Sequence, residues 1–247
     1  MNPSLGSRIV RFVNTLIALA LLAAAGAVFW YVWRPLPRRS GAVDTGVGAH
    51  ASAAFDPRGV PHIRASSLED ALFVQGYVTA QDRLFQMDSL RRFSAGDLAE
   101  IVGPAALESD REVRRLRMRR IAEQAYITLP AADRAAMAAY ARGVNAFLST
   151  HLGRLPLEFT LLGYQPRPWS VVDCLLISLH MFRDLTTTWR DELTLENLLA
   201  SGDPAKVRYL FDERANGAPL PGSNAWVLAG SHTASGKPLL SNDMHLE

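Results

Sequence analysis

Residues 68–90 read LEDALFVQGYVTAQDRLFQMDSL and carry the clearest helical pattern in the chain. Apolar side chains recur there mostly at intervals of three or four residues, which places them on one face of an α-helix: Leu68, Leu72, Tyr77, Ala80, Leu84, Met87 and Leu90. Asp70 follows Ser67 by three residues, which is the spacing of a capping box with Asp in place of the usual Glu. We therefore predict a long helix that begins after Ser67.

Helical spacing extends over most of the first 200 residues. It predicts further helices over 109–127, 131–150, 156–163 and 171–200. Two pairs of short strands flank this part, each pair around a turn rich in Pro or Gly, over 53–64 and 223–241. A lone hairpin is marginally stable in water, so the second pair needs further strands. We expect the sequence to be a fragment of a longer protein.

The composition of the 247 residues excludes several classes of protein. With 49% hydrophobic and 20% charged residues, the chain is neither disordered nor collagen-like. A single cysteine excludes an internal disulfide framework. Residues 1–40 contain five arginines and no acid, which leaves 21 basic and 24 acidic residues over 41–247, so we exclude nucleic acid as a partner. No P-loop or G-x-G-x-x-G occurs, and we expect no organic cofactor.

An uncharged apolar run covers Phe12 to Trp33 and is long enough for a helix to cross a bilayer. One interpretation is a cleavable signal peptide that ends at Ala25-Gly26-Ala27. The other is an uncleaved anchor, favoured because the run continues for six residues past Ala27 and ends in aromatic side chains. The anchor predicts a single-pass inner-membrane protein with a periplasmic domain, and cleavage after Ala27 predicts a secreted protein.

Four separated motifs resemble those of the penicillin acylase family of N-terminal-nucleophile hydrolases. They stand in the family's order over about residues 50–247: FDPRGVPHI at 55–63, QGYVTAQDRLFQMD at 75–88, PWS at 168–170 before Asp173, and GSNAWV at 222–227 followed by SGKPLL at 235–240 and NDMHL at 242–246. The resemblance implies an α+β fold in which an αββα sandwich, mostly missing from this sequence, is wrapped by a mainly helical α-chain; the apolar run predicts a transmembrane helix before it. Together they predict these segments: 1–34 a membrane anchor or signal, 35–50 a linker, 51–200 the helical α-chain region, 201–222 a spacer with the cleavage loop, and 223–247 the start of the β-chain.

The resemblance also implies a reaction. Members of the family cut their own precursor before a serine, here between Gly222 and Ser223. The new α-amino group of Ser223, with an unperturbed pKa of about 7.7–8.0, accepts the hydroxyl proton, so Ser223 is both nucleophile and base. The expected substrate is a small N-acylated molecule, a β-lactam antibiotic side chain or an acyl-homoserine lactone, whose linear amide bond is hydrolysed through an acyl-enzyme. The implied partner is the chain's own β-chain in an αβ heterodimer.

Further site residues follow from the same resemblance, each with an ordinary alternative. Asn224 orients the cleavage site or only satisfies turn hydrogen bonds. His245 relays protons to the nucleophile or is a partly buried histidine. Leu246, Phe182 and Thr186 fall where the family builds its acyl pocket, and core packing is the alternative for the two apolar residues.

Glu192 lines up with a glutamate that helps to bind calcium in penicillin acylases. A hard cation needs several oxygen ligands, so the others would come from the missing β-chain. The alternative is a solvated carboxylate beside Arg190 and Asp191. The run Arg111–Arg120 holds six arginines, which form a solvated helix face, pair with acids on the β-chain or meet anionic headgroups.

A rival interpretation belongs to another class of protein. The chain would be a membrane-anchored extracytoplasmic binding or scaffold protein that has the family's fold and no activity. In the sequence, only the intact triplet Gly222-Ser223-Asn224 speaks against it. A further alternative is a natural truncation, which is inactive unless another chain supplies the β-part.

Overall fold

The computed structural model describes residues 5–44, 46–185, 189–211 and 223–243. The chain divides into two compact units, Met1–Leu185 and Thr186–Glu247. The first unit contains α1 (Leu5–Val28), β1 (Ser52–Phe55), β2 (Pro61–Arg64), α2 (Leu68–Ala95), α3 (Ala99–Val102), α4 (Leu107–Leu116), α5 (Met118–Thr128), α6 (Ala131–His151), α7 (Leu157–Leu161) and α8 (Val171–Leu185). The second contains α9 (Trp189–Ser201), α10 (Pro204–Phe211), β3 (Asn224–Leu228) and β4 (Leu239–Asp243).

The apolar N-terminal run forms α1, which continues into a π-helical turn at Phe29–Trp33. Over Gly6–Trp33 its mean hydropathy reaches 2.2, and none of that window is buried against the remainder of the described chain. Within the described ranges it is the one helix long and apolar enough to cross a membrane. A signal sequence has the same length and composition, so both interpretations of this segment stay open.

The hairpin predicted over 53–64 is confirmed. β1 and β2 pair antiparallel, with Phe55 opposite Pro61. The carboxylate of Asp56 accepts hydrogen bonds from the backbone N–H groups of Arg58 and Val60, both at 2.9 Å. Gly59 has φ +82°, a left-handed conformation that glycine adopts without steric cost. The motif FDPRGVPHI therefore encodes a tight turn.

The long helix predicted after Ser67 is also confirmed as α2. The Ser67 hydroxyl accepts from the backbone N–H of Asp70 at 3.0 Å, which satisfies a donor left free at the helix start. α2 packs along α6, and the backbones approach so closely that Gly76 faces the carbonyl of Tyr140 and Gly143 faces the carbonyl of Phe73. Around this contact lies the main apolar cluster: Ala80, Leu84, Met87, Ala141, Val144, Phe147, Leu148, Phe159 and Trp169.

The prediction of one helix over 109–127 is wrong, because the chain forms α4 and α5 with a break at Arg117, where φ is +55°. Val113 and Met118 are both buried in a second apolar cluster that contains Leu176 of α8. In a continuous helix these two positions would point about 140° apart, since each residue turns about 100°. The break turns both side chains into the same cluster.

A buried polar network explains two of the sequence motifs together. Asp88 is 1% exposed, and its carboxylate accepts from the guanidinium groups of Arg91 and Arg92 and from the hydroxyl of Tyr164 at 2.9 Å. Arg91 also donates to the backbone carbonyls of Arg167 and Pro168. The last residue of the motif in α2 thus holds the segment that leads into α8.

Hydrogen bonds explain the sequence of the segment before α8. The carboxylate of Asp173 accepts from the backbone N–H of Ser170 at 2.8 Å and from its hydroxyl at 2.7 Å. The amide side chain of Asn145 exchanges two hydrogen bonds with the backbone of Trp169, at 2.7 and 2.8 Å. The Trp-Ser pair and Asp173 therefore start α8 and attach its first turn to α6.

The second unit begins with α9 and α10. The helix predicted over 171–200 is described as α8 and α9, and residues 186–188 between them lie outside the described residues. β3 and β4 pair antiparallel from Asn224 opposite Asp243 to Leu228 opposite Leu239, which confirms the second predicted strand pair. Trp226, Val227 and Leu240 are exposed on this two-stranded ribbon. An apolar ribbon of this kind has surface left for further strands to cover.

Candidate functional site

Ser223 lies directly before β3, at the open end of the β3–β4 hairpin, and it is exposed. The next residue, Asn224, is the first of the strand and pairs with Asp243. Along β3, Asn224, Trp226 and Leu228 share one face, and Ala225 and Val227 share the other, because successive strand residues alternate. The hairpin therefore presents Ser223 at the end of a paired strand.

Several predicted site residues lie outside the described residues. Gly222, Thr186, His245 and Leu246 are among them, so their predicted roles in cleavage, acyl binding and proton relay stay predictions. The length of the covalent chain limits how far one of them, His245, can lie from the described residue Asp243. His245 follows Asp243 by two residues, and consecutive Cα atoms are 3.8 Å apart at most.

The end of α8 carries an apolar surface that includes Phe182. The ring of Phe182 is 66% exposed, so within the described chain it does not belong to the core. Met181 and Leu185 are exposed beside it. Residues 181 and 185 are one helical turn apart and therefore lie on the same face as neighbours. The sequence analysis missed Met181 and Leu185, although their spacing of four residues is the signal that would have identified them.

Glu192 lies with Asp191 in the first turn of α9 and is exposed. In the described part of the chain, no group of three or more Asp, Glu, His or Cys side chains is placed to hold a metal ion. Calcium takes six to eight oxygen ligands. The described residues therefore do not fit a calcium site by themselves, and the assignment of Glu192 as a ligand stays a prediction that needs ligands from elsewhere.

The first unit has an apolar groove of about 490 Å³ between α2, α6 and α8. Leu90, Tyr140 and Ile177 are among the residues that line the groove, and none of the predicted site residues is among them. Cys174 also lines the groove and accepts a hydrogen bond from the indole N–H of Trp169 at 3.3 Å. Burial raises the pKa of the Cys174 thiol, which favours the protonated form over the reactive thiolate.

Three of the six arginines in the run of α4 and α5 pair with acids of the same unit. Arg114 and Arg119 converge on the carboxylate of Asp97 at 2.9 and 3.3 Å. Arg111 pairs with Glu108 one turn earlier at 3.5 Å. These contacts favour the interpretation of a solvated, internally paired helix face over a ligand site.

Comparisons with known proteins agree with the motifs. The family model of penicillin amidase matches residues 50–247. The chain is 33% identical to the acyl-homoserine lactone acylase QuiP of Pseudomonas aeruginosa, over 92% of this chain and 32% of that protein. It is 34% identical to the penicillin acylase 2 proenzyme of a Pseudomonas species, over 85% of this chain and 32% of that protein. A solved thermostable penicillin G acylase from Alcaligenes faecalis matches with a TM-score of 0.56 and 30% identity, over 67% of this chain and 90% of the matched chain.

The chain spans about a third of the length of these two curated relatives. The family match covers all four motifs, from the β1–β2 hairpin to the β3–β4 hairpin. The solved relative shares both the fold and 30% of the aligned sequence. The chain therefore belongs to the penicillin amidase family.

Proposed function

We propose that this chain is part of an autoprocessed N-acyl amide hydrolase in which Ser223 is the nucleophile. The place of Ser223 carries the proposal, since it is exposed and directly precedes β3 at the open end of the hairpin. Cleavage before Ser223 would leave a hydroxyl and a free amine at the start of an intact strand pair. The αββα sandwich, with β3 and β4 as two of its strands, is part of this proposal.

The proposed processing uses no external reagent except water. The Ser223 hydroxyl oxygen attacks the carbonyl carbon of Gly222, the C–N bond breaks, and the nitrogen takes the proton, which leaves an ester. Water then hydrolyses the ester to a carboxylate on Gly222 and a free amine on Ser223. In turnover the same oxygen attacks the substrate amide while the α-amine accepts its proton and returns it to the leaving amine. Water releases the acyl group from Ser223.

The relatives support both parts of the proposal. One is named an acyl-homoserine lactone acylase and the other a penicillin acylase proenzyme, and the bond common to these two substrate classes is an N-acyl amide. The second relative is named a proenzyme, which supports the proposal that the precursor is processed. This chain covers 90% of the solved penicillin G acylase chain but only 32% of each curated relative. The solved chain is therefore much shorter than the two curated relatives, and a chain produced by processing would be shorter in the same way.

The neighbouring residues take the following proposed roles. The exposed apolar surface of Met181, Phe182 and Leu185 suits the wall of an acyl pocket. His245 is two residues from Asp243, whose backbone pairs with Asn224, so a relay from His245 to the Ser223 amine is within reach of the chain. We further propose that α1 is retained as an anchor and that the remainder of the chain is extracytoplasmic.

The test is the intact mass and N-terminal sequence of the products made from the complete reading frame. We expect the wild type to yield a new chain that begins at Ser223, and Ser223→Ala to remain uncleaved. Ser235→Ala is the matched control, because Ser235 lies in the turn between β3 and β4 and its loss should leave cleavage unchanged. The mass of the N-terminal product also tells whether residues 1–27 are retained.

Cleaved enzyme is then supplied with acyl-homoserine lactones and penicillin G, and the release of free amine is measured. An uncleaved wild-type chain would refute the nucleophile assignment. The binding or scaffold protein would then be the better interpretation.

A further inference from the structure

Arg34 and Arg154 lie where the segment after α1 meets the end of α6. Arg34 donates from its guanidinium to the backbone carbonyl of Gly153 at 2.8 Å, and the same group lies 4.1 Å from the ring centroid of Trp30. Arg154 follows Gly153, and burial, followed by the charge of Arg38, lowers the pKa of Arg154. We name Arg34, Arg38 and Arg154 the basic cluster.

The positive charge of the basic cluster is not neutralised by any carboxylate of the described residues. Among the residues that the structure describes, no carboxylate forms a salt bridge with any of its three members. Arg154 instead contacts the ring nitrogen Nε2 of His151 at 2.8 Å. Burial, followed by the charges of Arg154 and Arg38, lowers the pKa of His151, so this ring is neutral at pH 7 and accepts the hydrogen bond.

Other arginines of the first unit differ from the basic cluster because they pair with a carboxylate. Arg114 and Arg119 share the carboxylate of Asp97. A guanidinium has five N–H donors, and the hydrogen bonds recorded for Arg34 and Arg154 within the described ranges use one donor each. The basic cluster therefore has donors and charge left for an external anion, and planar guanidinium groups match the oxygens of a phosphate.

A cleft of about 380 Å³ lies beside the basic cluster, and Arg154 is the member of the cluster that lines it. Trp30 and Tyr31 of the π-helical turn after α1 form one wall, and the segment from the end of α6 through α7 forms the other. Leu152 and Leu161, the last residue of α7, are exposed in this segment. Aromatic rings and arginines beside an apolar helix are the combination expected at the headgroup level of a membrane.

We propose that this cleft binds the phosphate-bearing headgroup of an anionic phospholipid, held by the guanidinium group of Arg154 in its wall, with Arg34 on the neighbouring Gly153 and the positive charge of Arg38 adding to the attraction. The proposal rests on the retained anchor, because α1 then places the cleft at the membrane surface. Free phosphate would offer the same oxygens, but the exposed leucines and the adjoining apolar helix favour a ligand that carries acyl chains. The bound lipid would fix the catalytic part of the protein against the membrane.

The test uses the full chain in detergent with equal amounts of phosphatidylglycerol and phosphatidylcholine, and native mass spectrometry counts the lipids retained. We expect the wild type to retain phosphatidylglycerol preferentially. The double variant Arg38→Gln/Arg154→Gln should bind it about 25-fold more weakly, at about fivefold for each arginine removed near a charged surface. Arg111→Gln is the matched control. This exposed arginine pairs with Glu108 on α4, which does not line the cleft, so its loss should leave lipid retention unchanged.

Three results would overturn the proposal. Equal retention of the two lipids by the wild type refutes the site, and so does a double variant that keeps the preference. Displacement of phosphatidylglycerol by excess inorganic phosphate shows a site for free phosphate instead. Circular dichroism in phosphatidylcholine alone confirms that the double variant is folded.

A separate extraction experiment distinguishes failure of the anchor from failure of the lipid site. Alkaline carbonate extracts a chain without a retained span, and that outcome refutes the anchor and the lipid site together. A chain that resists extraction but has no lipid preference refutes the lipid site alone. Cleavage before Ser223 is scored by mass in the same preparation and depends on neither result.

Discussion

The contact between α2 and α6 has room for no side chain at Gly143, and this predicts a large effect of Gly143→Ala. A Cβ atom at this position would overlap the carbonyl oxygen of Phe73, and it would stand 2.8 Å from the carbonyl carbon of that residue and 2.9 Å from the backbone nitrogen of Tyr77. Ordinary contacts of a Cβ begin at 3.4 Å. All the overlapping atoms belong to backbone, so no flexible side chain can move aside and the two helices must separate.

The magnitude follows from the separation. Restoring 3.4 Å to the carbonyl carbon alone moves the helices apart by about 0.6 Å, and a gap of that size forfeits about a quarter of the dispersion attraction across it. A buried side chain of leucine size makes 40–60 contacts of about 0.1–0.2 kcal/mol, so a quarter is about 2 kcal/mol. Phe73 of α2 and Phe147 of α6 are both buried. Their combined loss is about 4 kcal/mol, slightly above the usual cost of overpacking of about 1–3 kcal/mol.

The assay is urea unfolding of the full chain in detergent, followed by far-ultraviolet circular dichroism. We expect Gly143→Ala to lower the midpoint without a change in the urea dependence, which marks a loss of stability alone. Gly153→Ala is the matched control: Gly153 ends the same helical region, nothing lies within 4 Å of its added Cβ, and the change should stay within about 0.5 kcal/mol. Alanine exceeds glycine in helix propensity by about 1 kcal/mol, so a midpoint for Gly143→Ala that is unchanged or raised would refute the close approach.

Two further predictions concern buried polar groups. Asp88→Asn should cost about 3 kcal/mol in the same unfolding assay, the lower end of the range for a broken buried ion pair, because Arg91 and Arg92 lose the carboxylate they share and keep only Asp173 and Glu100. Tyr164→Phe should cost about 1.5 kcal/mol, for one hydrogen bond to a charged group, and equal costs for the two variants would contradict the network. The pKa of His151 is lowered by burial and by Arg154 and Arg38 below its unfolded value of about 6.5, so the stability it contributes is present above that pH and is lost as the pH falls. His151→Gln should therefore flatten the decline of unfolding free energy between pH 7 and 5, and parallel curves for variant and wild type would show that His151 does not titrate in this way.

Much of the local structure was predictable because its causes lie within a few residues of one another. The turn at Asp56 to Val60 is held by a carboxylate and two backbone donors inside five residues. The start of α2 depends on Ser67 and Asp70. The β3–β4 hairpin likewise pairs residues close in the chain, so its strands were found although Trp226 is exposed.

The candidate site was predictable only as far as its motif extends. Ser223 was identified from its neighbours in sequence, and the structure places it at the start of β3. The exposure of Phe182 could not be predicted, because an apolar side chain on a helix has the same local pattern whether it lines a pocket or fills a core. The roles of Ser223 and Glu192 stay predictions that the experiments above address.

By itself, the sequence determined the family and the order of helices and hairpins, and it supplied the prediction that Ser223 is the nucleophile. Tertiary structure alone decided that the helix over 109–127 breaks at Arg117, that α2 and α6 meet at two glycines, and that Asp88 is buried. It also brought Arg34 to the loop that holds Arg154. The physical reason is common to all of these features: each depends on side chains or backbone from segments distant in the chain, whose contact energy outweighs the local preference of the residues involved.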